Sequence, residues 1–151
     1  MQKFSSVDEV LEFAIAEEQK AHDFYVELSA KVDKPWMKKA LQDFAREELG
    51  HKEKLLGVKQ GKHLLPAQQK VLDLQLSDYL VETEPHAGMT YQEALVVAMK
   101  KEKAAWKLYS DLAASTSDPK LADSFRALAI EEANHKLRFE TEYDQFVLRE
   151  A

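Results

Sequence analysis

The sequence predicts an all-α protein: an antiparallel four-helix bundle built from two duplicated helix hairpins joined by one long crossover. Three observations carry this expectation. The first is composition. Of 151 residues 45% are hydrophobic and 32% charged, with only four Gly and four Pro. Such a chain is rich in helix formers and poor in turn residues. The second is period. Apolar residues recur at spacings that alternate four and three, the seam of a helix packed in a bundle. The third is self-similarity. Residues 6–56 realign on residues 90–140 at an offset of 84, with fourteen identities, and an internal repeat constrains the fold in its own right.

A chain of this length is expected to form one domain, residues 1–151, with repeat one at 6–56, the crossover at 61–89 and repeat two at 90–140. The first helix should begin after Ser6, because Ser6-x-x-Glu9 reads as a capping box. Its seam is Val7, Leu11, Ala14, Glu18, Ala21, Tyr25 and Leu28. Residues 30–34 make a short connection, and Pro35 suits the first position of the second helix. The second seam is Met37, Leu41, Phe44, Glu48, His51, Leu55 and Val58, fraying near Gly57 or Gly61. In the crossover, Val71 to Leu80 suggests a short helix between Pro66 and Pro85. Thr90-x-x-Glu93 repeats the capping box, and the third seam is Tyr91, Leu95, Ala98, Glu102, Ala105, Tyr109 and Leu112. Asp118-Pro119 opens the fourth helix, with Leu121, Phe125, Leu128, Glu132, His135 and Phe139 on its seam, extended by Tyr143 and Phe146.

Composition also limits function. A net charge of −6 argues against a nucleic-acid partner, which would call for a basic stripe. No apolar run approaches the roughly 20 residues that span a bilayer, so no membrane partner is expected. The start, Met-Gln-Lys-Phe-Ser-Ser, has no apolar signal core, and a cytoplasmic location is expected. Cysteine is absent, which excludes disulfides, iron–sulfur clusters and thiolate nucleophiles. Any metal must be held by nitrogen and oxygen.

Glutamate and histidine stand where a seam calls for apolar residues. Residues three apart on a helix share a face, so Glu48 with His51 and Glu132 with His135 each offer an oxygen and a nitrogen to one point. With Glu18 and Glu102 they bring four carboxylates and two imidazoles to mid-bundle. Four carboxylates in a low-dielectric core repel unless cations answer them, and two divalent ions balance the formal charge. Mixed imidazole and carboxylate donors suit iron or manganese, and zinc also binds such sets. Tyr25 and Tyr109, two turns beyond Glu18 and Glu102, either hydrogen-bond a ligand carboxylate or are core packing residues with a hydroxyl at the wet end. Glu47 and Glu131 either accept from a ligand imidazole or are surface charges. His22 reads as flanking and non-ligating, His63 and His86 as solvent-facing, and Trp36 and Trp106 as packing residues.

The chain resembles the ferritin-like superfamily, most closely its rubrerythrin-like branch. The carriers are Ala14, Glu18, Ala21 and Tyr25 with Glu47-Glu48-x-x-His51, and their copies Ala98, Glu102, Ala105 and Tyr109 with Glu131-Glu132-x-x-His135. The resemblance implies a ferritin-like bundle around two iron ions. Glu18 and Glu102 are then terminal ligands, Glu48 and Glu132 bridge, and His51 and His135 each bind one iron. It implies peroxidase or ferroxidase chemistry with hydrogen peroxide or dioxygen, and by analogy a homodimer. Two departures stand out. Rubrerythrins carry a cysteine-ligated rubredoxin domain that feeds electrons to the iron; this sequence has no cysteine, so an external electron-donor protein is expected. Ala105 stands where rubrerythrins place a further glutamate, which makes the ligand set symmetric, as in bacterioferritin. Two other classes of reading compete with the enzyme: a non-catalytic iron-binding, storage or sensing protein, and a purely structural bundle.

Overall fold

The structure is a computed structural model, and residues 4, 6–61, 78–81 and 88–150 are described below. Four helices follow in order among them: α1 (Val7–Ser29), α2 (Pro35–Gly61), α3 (Tyr91–Ser115) and α4 (Pro119–Glu150). No strand occurs among the described residues. α1 packs along α2 and α3 along α4, and α1 also meets α3. The fold is the expected pair of hairpins.

Local sequence starts each helix where expected. Ser6 accepts from the backbone N–H of Glu9 at 3.1 Å. At Thr90 the capping box is reciprocal, with the Glu93 N–H donating to Thr90 Oγ1 and the Thr90 N–H donating to Glu93 Oε1, each at 3.1 Å. Asp118 Oδ1 accepts from the N–H groups of Lys120 and Leu121 at 3.0 and 3.4 Å. Pro35 and Pro119 occupy first helical positions, where a missing N–H costs nothing.

The buried faces form two apolar clusters, each drawing on all four helices. One holds Leu11, Leu55, Leu112 and Phe125, and the other Tyr25, Leu41, Leu95 and Phe139. Fully burying side chains of this size stabilises a fold by about 1.5–3 kcal/mol each. Glu18 falls between Ala14 of the first cluster and Ala21 of the second. The Glu/His layer is therefore sandwiched between two greasy plugs.

Several expectations change. Trp36 and Trp106 are not packing residues: they expose 54% and 43% of their surface. Each lies off the 4–3 seam of its helix, which explains the exposure. The short helix expected in the crossover, and His63 and His86, fall outside the described residues apart from 78–81. In that segment Tyr79 is buried in the Leu11 cluster and donates its hydroxyl to Asp111 at 2.8 Å. Glu142, absent from the expected seam, is buried, with Lys34 Nζ at 2.7 Å and the Tyr91 hydroxyl at 3.1 Å.

Candidate metal centre

Each hairpin contributes three acidic or imidazole side chains to one layer. Glu18 comes from α1, Glu48 and His51 from α2, Glu102 from α3, and Glu132 and His135 from α4. None of the six exposes more than 3% of its surface. Their donor atoms fall into two overlapping groups: Glu18, Glu48, His51 and Glu132, and Glu48, Glu102, Glu132 and His135. Within each group the atoms lie within 4.8 Å of one another. Glu48 and Glu132 belong to both.

The atoms point at common centres rather than at each other. His51 Nδ1 is 3.0 Å from Glu132 Oε1 and 3.5 Å from both Glu18 Oε2 and Glu48 Oε1. His135 Nδ1 is 3.2 Å from Glu48 Oε1 and 3.6 Å from Glu102 Oε1. Yet Glu18 Oε2, Glu48 Oε1, His51 Nδ1, Glu102 Oε2, Glu132 Oε1 and His135 Nδ1 are all buried without a hydrogen-bond partner. Native interiors rarely leave even one such atom unsatisfied. Six at one place, all of a kind that coordinates divalent cations, suit a metal site.

The outer atoms of Glu18, Glu102, His51 and His135 are engaged, and each of these four bonds crosses between hairpins. Tyr25 donates to Glu102, and Tyr109 donates to Glu18. His51 Nε2 lies 2.9 Å from Glu131 Oε2, and His135 Nε2 lies 2.8 Å from Glu47 Oε2. The sequence left open whether Glu47 and Glu131 are surface charges; the structure makes them partners of the two imidazoles. An ionised carboxylate only accepts, so it favours a proton on Nε2. That leaves the Nδ1 lone pair facing inward, as a metal ligand requires. His22 lies apart from the cluster, 3.0 Å from Asp23.

Electrostatics show the strain of the metal-free layer. Burial pushes the Glu48 carboxyl well above its ordinary range, and Glu102, Glu132 and Glu18 add to the rise. Burial does the same to Glu132, reinforced by Glu102 and Glu18. For His135 burial opposes the charged form, but Glu102 and Glu48 outweigh it and raise the imidazole to about 10. His51 is raised in the same way, burial being outweighed by Glu18 and then Glu131. Where cations are absent, this crowding therefore favours the protonated forms of Glu48, Glu132, His51 and His135.

The surroundings are less symmetric than the ligands. Phe44 stacks on His135 at 4.2 Å between ring centroids; its repeat counterpart, Leu128, is aliphatic. Between α1 and α3 a cavity of about 30 Å³ reaches Glu18, Glu48, Glu102 and Glu132 past Ala21 and Ala105. The small side chains of Ala21 and Ala105 thus leave room beside the ligands, enough for about one water-sized molecule.

Comparison with known proteins agrees with this geometry. No curated protein matches the chain. Among solved structures, a protein from Thermotoga maritima assigned as ferritin-like and diiron-carboxylate is similar, with 20% identity, a TM-score of 0.76, and coverage of 95% of this chain and 97% of its own. At that identity the likeness establishes the ferritin-like fold. The rubrerythrin family model matches residues 9–143, nearly the whole chain and every residue of the Glu/His layer. By that match, this chain belongs to the rubrerythrin family.

Proposed function

We propose that the chain is a non-haem di-iron protein that oxidises iron(II) with hydrogen peroxide or dioxygen, a peroxidase or ferroxidase reset by an external electron donor. The observation that carries this reading is the pair of overlapping donor groups that share Glu48 and Glu132. Glu18 with His51 would hold one ion, Glu102 with His135 the other, and the shared carboxylates would bridge. When bound, the ions supply the electrons that reduce the oxidant. The chain does the rest. Tyr25 and Tyr109 hold Glu102 and Glu18 in place, and Glu131 and Glu47 fix the imidazole tautomers. The apolar clusters keep the layer dry, and the small cavity past Ala21 and Ala105 favours an oxidant no larger than dioxygen or peroxide.

The test begins with elemental mass spectrometry of protein grown with iron and manganese available. About two iron per chain, as two four-donor groups imply, should be lost in a Glu48→Ala, Glu132→Ala double variant. Rapid mixing of the iron(II)-loaded protein with peroxide should then give ferric absorbance at a rate the variant lacks. Two manganese would change the chemistry. Iron that binds but is not oxidised would make the chain a storage or sensing protein, and iron that never binds would end the reading.

A further inference from the structure

We propose that a lysine-lined groove on α3, beside the centre, is the docking surface for a small acidic electron-carrier protein. The proposal rests on the redox reading above, which requires an external donor. Lys100, Lys103 and Lys107 are spaced three and four apart, so they share one face of α3. With Leu80 and Val81 they line a shallow groove of about 330 Å³. Asp111 answers Lys107 and Asp78 lies on the same rim, so Lys100 and Lys103 leave this groove positive by one charge on a chain whose net charge is −6. An acidic protein is repelled by the net charge of the molecule and attracted by this groove, which biases where it lands.

The groove also carries what a transient interface needs besides charge. Leu80 in its lining is 54% exposed, an apolar contact alongside the lysines. Lys107 is held in place: its Nζ is 3.0 Å from Asp111 Oδ2 and 5.3 Å from the centroid of the buried Tyr79 ring. Lysine ammoniums are strongly hydrated point charges on flexible stems, so they steer a partner without gripping it. A carrier that must leave after each electron calls for that weakness, and electron-transfer encounters use the smallest interfaces.

Position is the stronger argument. Val81 and Ala104 line both this groove and the cavity that reaches Glu18, Glu48, Glu102 and Glu132. One residue layer separates the docking surface from the ligand carboxylates. In each encounter the carrier would lose one electron, one ferric ion of the centre would become ferrous, and no atom would change hands.

The probe is a purified, reduced rubredoxin of net negative charge. Its binding to the full chain is measured by titration calorimetry, both on metal-loaded protein and after chelation. Zero-length carbodiimide cross-links between lysine and carboxylate are mapped by mass spectrometry. Lys100→Glu with Lys103→Glu is compared with a control pair of the same charge change, Lys20→Glu with Lys39→Glu. We expect cross-links at Lys100, Lys103 or Lys107, and a Kd weakened about ten-fold or more in the first pair and changed less than about two-fold in the control. Binding should vanish as salt shortens the screening length from about 30 to about 3 Å. Equal weakening in both pairs, cross-links elsewhere, displacement by millimolar inorganic phosphate, or no binding at low salt each overturns the proposal. Docking to the chelated protein does not depend on turnover. Intact docking without electron transfer therefore sinks the redox reading alone, and rubredoxin-driven turnover indifferent to the first pair sinks the docking surface alone.

Discussion

A glutamate at the centre of a helix seam is costly unless something answers its charge, and Glu48 shows the cost plainly. In metal-free protein burial and the neighbouring carboxylates favour a proton on its carboxyl more than the unfolded chain does. Glu48→Gln removes that burden while keeping shape. Chelated Glu48→Gln should therefore be more stable than chelated wild type by about 1–3 kcal/mol, while losing the rise in melting temperature that iron gives the wild type. Calorimetry of both proteins with and without iron checks both halves. Tyr25→Phe leaves Glu102 without its donor, and Tyr109→Phe does the same to Glu18. Each should lower the stability of the chelated protein by about 1–3 kcal/mol in urea unfolding. The six layer residues were legible in sequence because each breaks the apolar rule of its seam at a position the other repeat also breaks. Glu142 was not. It lies on a 4–3 continuation, His135–Phe139–Glu142–Phe146, but the Lys34 ammonium and the Tyr91 hydroxyl that answer it come from other elements. The role of Glu47 and Glu131 was also hidden, because their partners sit on the opposite hairpin and only the packing of the two hairpins brings them together.

At the level of elements, start signals did most to fix the boundaries. Ser6, Pro35, Thr90 and Pro119 each sit at a helix start, because a cap or a proline acts within one turn and needs no knowledge of the rest of the fold. Thr90→Ala removes one half of a reciprocal cap and should cost about 1 kcal/mol, read from the denaturant midpoint at unchanged m-value. The connection between α1 and α2 is tied to the far end of α4 by Lys34 and Glu142 at 2.7 Å. Lys34→Ala takes the ammonium away from the buried Glu142 and should cost about 1–3 kcal/mol by the same measurement. Tyr79 marks where local reading ran out. It was read as part of a short crossover helix, and nothing in its neighbours says that its ring packs among Leu11, Leu112 and Phe125.

For the molecule as a whole, the raised groups set an unusual dependence on pH. His135 is raised from 6.5 to about 10, so the native chain holds a proton there that the unfolded chain has lost. Stability from that source is complete below about 6.5 and is lost as pH rises toward about 10. The raised carboxyls Glu48 and Glu132 act in the same direction from 4.5 upward. Chelated protein should therefore melt at a lower temperature at pH 9 than at pH 6, the reverse of acid denaturation. Iron should flatten the slope, because bound cations replace the protons. Thermal melts across that range, with and without chelator, decide it.

Neither repeat owns a complete donor group: each lends the other one carboxylate, and every hydrogen bond around the layer reaches across the same boundary. A chain nicked between Gly61 and Asp78 should behave as a split protein whose halves reassociate, and whose reassembly is metal-dependent. Mixed fragments should co-elute as one species with iron(II) present and separate when it is chelated.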